Sequence, residues 1–444
     1  MPPATTVNPD SDLLTETVFE HFQGRHPDLP PWLLQQKRQS WMEYRSLPLP
    51  NRKMESWRFS NVRGLGVDPF ALANPINGHS RAALVARSQD LDSCAGRMVF
   101  GNDDLLENSP LSWEMTEKGV IFEPLQTAFS KHSEILEEFF MAQKSALGSE
   151  KFAALHTTLN RNGTLLYVPE KVEIRLPLVS RHWAFGENAA VFPHTLLIAR
   201  DQARVVFVDV YSSSEASSRQ FACGVSTVYA GSGAEVEYHH VQNWGERSLS
   251  FNTLTAIAQR NSRIRAFGMN LGSKYSRNEG HSIIEGPASN AEFYSLTLSH
   301  LDQEMDQRTR QTHRAPHARS NLLFKNALLD SSKTIFSGLI KVDKAAQQTD
   351  AYQTNRNLLL SPKAEANSMP GLEILANDVK CSHGATTGQL DDNQLFYFLS
   401  RGIGKLAAQK LLVFGFFEEV LEKIDNRELA EFHRRLVQEK FKRS

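Results

Sequence analysis

GLEILANDVKCSHGATTGQLDDNQLFYFLSRGI, Gly371 to Ile403, changes character twice along its length. Leu372, Ile374 and Ala376 alternate with their neighbours in the period-two pattern of a strand. At Asn377–Asp378 the phase slips by one, and Val379, Cys381 and His383 take the opposite parity. Asn and Asp favour turns, and a one-residue slip exchanges the faces, so a corner is expected there. After Gly388 the pattern becomes helical. Residues two apart in a strand share a face, with Cα atoms about 6.6 Å apart. Cys381 and His383 are therefore presented side by side. A thiol and an imidazole so placed suit a soft or borderline metal. The same spacing fits a buried thiol beside a hydrogen-bonded imidazole, and spacing alone favours that plainer arrangement.

The β character extends upstream to Arg161. Asn162–Gly163 marks a turn and TLLYVP opens a strand. Val172, Ile174, Leu176 and Leu178 then alternate with Glu173, Arg175 and Pro177, which reads as a strand with one wet face. Similar short runs recur at 204–210, 234–241, 254–258, 264–268, 293–298, 335–342 and 372–376, separated by Gly, Asn, Ser or Asp clusters. Between 161 and 388 there is almost no helical stripe. One β unit of this size is large for a single sandwich or barrel. Many short strands without Asn-Gly hairpin turns favour a solenoid of stacked coils, a β-helix, although no fixed-length repeat is visible. A solenoid has an open edge at each end, which invites aggregation unless it is capped. The helical segments on both sides are natural caps. An uncovered edge could instead pair with a second, similar solenoid.

The chain thus divides into a mostly helical region at 1–160, a β-helix at 161–388 and a helical tail at 389–444. Near the start, Asp12 can cap a helix with the stripe Leu14, Val18 and Phe22. LPLPNRKMESWRFSNV, 47–62, mixes Arg52, Lys53, Trp57, Arg58 and Phe59; it reads as an aromatic loop packed on its own domain rather than a stacking site for a base or cofactor. Residues 65–120 carry no decisive pattern. In the tail, Ala407, Leu411, Phe414, Phe417 and Leu421 form one stripe. Leu429, Phe432 and Leu436 form another behind Asn426. Phe396, Phe398, Phe414, Phe416 and Phe417 make this short region strongly aromatic. A packed helix pair and a docking site for a partner protein account for it equally well.

Net charge over the 444 residues is −1, which gives no electrostatic reason to expect nucleic acid or an anionic membrane as partner. Three scattered cysteines, Cys94, Cys223 and Cys381, argue against a disulfide framework and for a reducing, cytoplasmic setting. With no CxxC pair, cysteines of this chain alone cannot hold an iron–sulfur cluster or structural zinc. Apolar runs fall far short of the roughly 20 residues that span a bilayer. Early acids at Asp10, Asp12, Glu16 and Glu20 and the lack of an apolar run argue against a secretory or transit peptide. GIGK at 402–405 lacks the rest of a phosphate loop, so no ATP hydrolysis is expected from this chain. His313 and His317 flank Pro316 in polar sequence and read as loop residues rather than metal ligands. Glu235 and Glu237 read as exposed acids on the wet face of a strand, and His239 and His240 as residues pointing to opposite faces.

Residues 336–403, FSGLIKVDKAAQQTDAYQTNRNLLLSPKAEANSMPGLEILANDVKCSHGATTGQLDDNQLFYFLSRGI, resemble the core signature of the SufB/SufD family of iron–sulfur cluster assembly proteins. The resemblance extends more weakly through HRAPHARSNLLFKNALL at 313–329, LNRNGTLLYVP at 159–169 and RKMESWRFS at 52–60, and so covers nearly the whole chain. Gly384 after His383, and the lack of cysteine between Phe336 and Lys380, resemble the SufD branch rather than the SufB branch. The resemblance implies a right-handed parallel β-helix between N-terminal and C-terminal helical regions. It implies a non-catalytic scaffold that pairs with a SufB paralogue through the β-helix and with the ABC-type ATPase SufC through the C-terminal helices. The expected docking residues are Phe396, Tyr397, Arg401, Gly402, Phe414 and Phe417. His383 matches a histidine that serves, with a SufB cysteine, as ligand to a transient iron–sulfur cluster at the subunit interface; Cys381 matches a neighbouring cysteine of less certain role. Reduced flavin is implied for the assembled complex, with no residue of this chain assigned to it. A homodimer in the absence of SufB is a further expectation. Two other readings stand beside this one: a self-sufficient β-helix enzyme acting on polysaccharide, and a purely structural partner-binding protein.

Overall fold

The computed structural model describes residues 29–62, 65, 69–144, 147–390 and 392–442. The capped helix expected at Asp12–Phe22 and the terminal Arg443 lie outside them. In the N-terminal region the strands are β1 (Ala71–Leu72), β2 (Gly96–Gly101), β3 (Asp104–Ser109) and β4 (Ile121–Pro124). The coils hold β5 (Thr164–Val168), β6 (Leu178–Ala184), β7 (Ala189–Val191), β8 (His194–Ala199), β9 (Arg204–Ser213), β10 (Phe221–Ala230), β11 (Glu235–Asn243) and β12 (Leu249–Ala258). They continue through β13 (Arg263–Asn270), β14 (Tyr275–Ile284), β15 (Asn290–Ser299), β16 (Glu304–His313), β17 (Arg319–Leu328), β18 (Lys333–Val342), β19 (Thr349–Leu359), β20 (Glu365–Ile374) and β21 (Val379–Gln389). Even-numbered strands from β8 to β20, with β5 and β4, form a first sheet; odd-numbered strands from β9 to β21, with β6, β2 and β3, form a second. The result is a parallel β-solenoid of about 8 turns flanked by helices, with 42% of residues in strands and 24% in helices.

Register runs unbroken from coil to coil. In the second sheet, Phe207, Tyr238, Ala266, Phe293, Leu322, Gln353 and His383 form one inward-facing column. Its steps are 31, 28, 27, 29, 31 and 30 residues, which is why no fixed repeat is visible in the sequence. The variation is absorbed at corners away from the ladder. One corner is nevertheless conformationally constant. Lys171, Gln202, Gly233, Asn261, Ala288, His317 and Gln348 all take positive φ, between 57° and 70°, just before the strand that enters the second sheet. Backbone bonds stack these corners as well: Gln202 N–H donates to Ser232 O (2.8 Å), Gly233 to Arg260 O (2.8 Å), Asn261 to Pro287 O (3.0 Å) and His317 to Gln347 O (2.9 Å). Six of the seven are not glycine, so the corner left no glycine signature. His317 is one of these corner residues, and His313 ends β16 inside the solenoid with Nε2 against Ser320 Oγ at 2.8 Å; the two are not co-ligands.

Two departures from the sequence reading have local causes. Residues 172–178 do not form a strand before β6: only Glu173 bridges to Arg204, and Pro169 and Pro177 bracket the segment. Val172 and Ile174 still point into the core, so the alternation was genuine but belongs to a corner. Residues 96–109, within the 65–120 stretch that carried no decisive pattern, supply β2 parallel to β6 and β3 antiparallel to β2, and residues 121–124 just beyond it supply β4 antiparallel to β5. Antiparallel strands β3 and β4 thus end the two sheets at the N-terminal end of the solenoid.

The helices are α1 (Pro31–Ser46), α2 (Gly78–Ala86), α3 (Trp113–Glu117), α4 (Leu125–Lys131), α5 (Ser133–Phe139), α6 (Glu150–Leu159), α7 (Asp392–Ser400), α8 (Lys405–Leu421) and α9 (Arg427–Phe441). The outer face of the first sheet is covered by the N-terminal region, where Trp57 and Phe152 meet Phe221 and Phe251. Trp57 Nε1 donates to Gly148 O (2.9 Å), and the Arg277 guanidinium lies 3.8 Å from its ring, so this aromatic is packed within the chain as expected. The outer face of the second sheet is covered by α8 and α9, through Val208, Val241 and Phe267 against Val413, Phe417, Phe432 and Val437. None of the described helices is long and apolar enough to cross a membrane.

Left-handed backbone at an exposed non-glycine corner is sensitive to side-chain branching. Ala288→Val is expected to lower the unfolding free energy by about 1–2 kcal/mol, whereas Ala288→Asn, which tolerates this conformation, should leave it nearly unchanged. Denaturant titration measures both; equal stability of the Val variant and wild type would contradict the corner assignment.

Candidate functional site

The C-terminal end of the solenoid differs from the N-terminal end. Strands β20 and β21 form its last coil, and each lies at the edge of its sheet with no strand beyond it among the described residues. The corner between them falls at 375–378, where the phase slip places it. Parity carried along the columns shows which side chains face inward. In β20 they are Ser368, Leu372 and Ile374; in β21 they are Cys381, His383 and Thr387. One coil earlier the equivalent positions Ile340 and Val342 are fully buried, but Leu372 and Ile374 are 38% and 37% exposed. Their exposure follows from position alone, because no further coil covers the lumen. Cys381 and His383 are thus neighbours on the inward face of an uncovered coil, in register with Ala351 and Gln353.

The two side chains sit in different surroundings. Cys381 is half-buried and packs with Val379 against Ile340, Val342, Ala346, Ala351 and Ala376. That burial pushes its thiol pKa above the ordinary value, with Asp350 adding to the effect and the Ala351 backbone opposing it. His383 is exposed. Beneath it, Gln353 reaches across the lumen and donates from Nε2 to Gly338 O (3.2 Å) and Gly371 O (3.1 Å), giving the open end a rigid floor. Among the described residues no three His, Cys, Asp or Glu side chains are grouped to hold a metal ion. Cys381 and His383 can therefore supply at most part of a ligand set. The other thiols are elsewhere: Cys94 is half-buried, and Cys223 is buried with Sγ donating to Phe152 O (3.3 Å).

The chain leaves β21 directly into α7. Phe396 and Tyr397 on this helix are 71% and 57% exposed, and Leu399, Leu406 and Leu411 are exposed as well. Arg401 lies 5.4 Å from the Tyr397 ring, and Gly402 turns the chain with φ of 78°. The second half of α8 behaves differently. Phe417 is fully buried against the second sheet and Phe414 is partly buried beside it. Phe417 therefore belongs to the core beneath α8 and does not line the exposed aromatic surface. Polar ties hold this half in place: Lys325 Nζ donates to Phe416 O (2.7 Å) and pairs with Glu419 (2.5 Å), and Arg265 pairs with Asp425 (2.6 Å). His239 Nδ1 meets His433 Nε2 of α9 at 2.9 Å, while His239 Nε2 meets Glu237 at 2.7 Å. Glu237 is consequently buried and ion-paired, unlike the exposed acid expected; Glu235 is exposed and paired with Arg204 at 3.0 Å. The covering of Glu237 by a helix two hundred residues away left no local trace.

The candidate site is thus a thiol–imidazole pair on the uncovered last coil of a β-solenoid. The comparisons agree with this geometry. Residues 182–416 match the family model described as SUF system FeS cluster assembly, SufBD core domain, and residues 28–179 match the SufBD protein N-terminal region. The chain belongs to the SufBD family of iron–sulfur cluster assembly proteins. It is 29% identical over 417 residues to the iron–sulfur cluster assembly protein SufD of Bacillus subtilis, covering 92% of this chain and 94% of that one. It is 30% identical over 397 residues to a SufBD family protein of Synechocystis, covering 85% and 84% of the two chains. A SufBD family protein of Staphylococcus epidermidis is 26% identical over 321 residues, 72% of this chain and 69% of its own. The chain is thus a SufD-like member of the family.

Thiol labelling reads the burial directly. In the folded chain, iodoacetamide at pH 8 is expected to modify Cys381 slowly and to leave Cys223 untouched until denaturant is added. Labelling of Cys223 as fast as Cys381 would contradict the placement of β10 beneath the N-terminal helices.

Proposed function

We propose that this chain is a non-catalytic scaffold subunit that assembles a nascent iron–sulfur cluster together with a SufB-type paralogue and the ATPase SufC. The observation that carries the reading is the uncovered last coil, with His383 exposed and Cys381 half-buried on its inward face. A cluster is held by several soft ligands, and one thiol with one imidazole is too few. A second chain that covers the coil supplies the rest and buries Leu372 and Ile374. The free edges of β20 and β21 supply unpaired backbone groups suited to strand addition by that chain. In this arrangement His383 is the more exposed ligand, and Cys381 the auxiliary one. Few, shared ligands also let the cargo leave. When the paralogue is absent, the same edges suit a second copy of this chain. Reduced flavin belongs to the assembled complex, and no residue here is assigned to it.

The exposed surface of α7 and the start of α8, with Phe396, Tyr397, Arg401 and Gly402, is the docking site for the ATPase. It adjoins β21 with only residues 390–391 between them, so movement of the ATPase reaches the coil that bears His383 along a short path. A polysaccharide-acting enzyme is disfavoured because Glu237, one of the acids it would need, is held by an ion pair with Arg265 and a hydrogen bond with His239.

His383→Ala is expected to leave the fold and the complex intact and to lower bound iron and sulfide several-fold after reconstitution. Unchanged iron and sulfide would reduce the chain to a structural partner. The docking surface and its support separate by substitution. Phe396→Ser with Tyr397→Ser should weaken ATPase capture with stability unchanged, whereas Phe417→Ala should cost about 3–5 kcal/mol of stability. If the exposed pair bound the ATPase as tightly as wild type, the docking assignment would fail.

A further inference from the structure

The solenoid lumen is not filled along its whole length. A chamber of about 70 Å³ lies between the two sheets in the middle coils, where Gly268, Gly280 and Ser295 take inward positions. Its walls are apolar at Leu254, Phe293 and Phe324 and polar at Asn252, Gln307 and Thr309. The polar groups are at least nine-tenths buried, and Asn252 Oδ1, Gln307 Oε1 and Thr309 Oγ1 have no hydrogen-bond partner within the protein. The amide orientations are set by their nitrogens. Asn252 Nδ2 donates to Asn278 Oδ1 (3.0 Å), and Gln307 Nε2 donates to Thr297 Oγ1 (2.9 Å) and Asn326 Oδ1 (3.1 Å). What remains in the chamber is two amide oxygens, which only accept, and the Thr309 hydroxyl, which both accepts and donates.

That set selects its occupant. An unsatisfied buried oxygen costs about 1–3 kcal/mol, so an apolar molecule would leave the cost in place, and an anion could be held only by the Thr309 hydroxyl while it faced two amide oxygens. A neutral hydrogen-bond donor relieves it. At about 30 Å³ per water, the chamber takes roughly two water molecules. One coil further on, Gln353 Oε1 is also buried and unpartnered. A Cβ at Gly338 would collide with it and would come within 2.9 Å of Thr309 Oγ1, so both oxygens lie close together beside Gly338. The Gln353 amide, bonded to Gly338 O and Gly371 O, lies across the lumen between Thr309 and the coil of Cys381 and His383.

We propose that the lumen binds a cluster of water molecules at Asn252, Gln307 and Thr309, and that Gln353 is the crossbar separating this cluster from the open end. The proposal does not depend on the cluster-ligand role of His383. Oxygen-17 relaxation dispersion of the water signal, recorded on the isolated full chain, counts long-lived internal waters. Wild type is expected to show a long-lived population of which about two molecules disappear in Asn252→Leu with Thr309→Val. Thr309→Ser, which keeps the hydroxyl, should retain them. Gln353→Ala should shorten their residence time by tenfold or more without removing them. A wild-type count that matches the double variant would overturn the proposal, as would xenon entering the wild-type chamber without loss of the water signal. An unchanged residence time in a folded Gln353→Ala variant would overturn the crossbar. The wild-type measurements decide the water cluster even where a variant fails to fold.

Discussion

The backbone ladder that continues from coil to coil, through the corners as well as the strands, is the constraint on which this molecule rests. Each strand satisfies its donors and acceptors only against the coils before and after it. The stacked left-handed corners extend the same pairing around the bend, so the columns of side chains stay in register although the coils differ in length. Unbroken register is what carries a residue such as His383 to a defined place above Gln353.

Cross-lumen bonds add a second layer to this constraint. The interior is not a uniform aliphatic stack: Gln242 bonds Ser250 (3.0 Å), Gln311 bonds Ser320 (2.7 Å) and Asn355 bonds Ser368 (2.7 Å), each spanning the two sheets. Such bonds are strong in a low-dielectric interior and fix the separation of the sheets. The outer faces are stabilised separately. The N-terminal region covers the first sheet and the C-terminal helices cover the second. The long sides of the solenoid are thereby covered, and the inward side chains of the last coil are left exposed.

Much of this was legible locally. The phase slip at Asn377–Asp378 marks a corner, and the shared parity of Cys381 and His383 survives in the structure because a strand has no freedom to separate residues two apart. The helical tail and the buried role of Trp57 were equally readable. The coil repeat was not, because steps of 27 to 31 residues blur any period and the corner residues include Lys, Gln, Ala and His, whose positive φ is imposed by stacking. Strands β2 and β4 were hidden for a related reason: they pair with β6 and β5 across long gaps, and nothing nearby announces the partner. The alternation at 172–178 misled because a corner that turns inward every second residue looks like a strand.

By itself, then, the sequence determined the local periods: which residues alternate, where the phase breaks, and that a thiol and an imidazole share a face at the end of a β region. Those properties depend only on neighbours along the chain. Tertiary structure alone decided that this face is the inward one of an uncovered coil, that Phe417 is buried while Phe396 and Tyr397 are not, and that Glu237 lies under a helix. Each of these depends on which distant segment occupies the space opposite, and a stacked fold settles that only when every coil is in place.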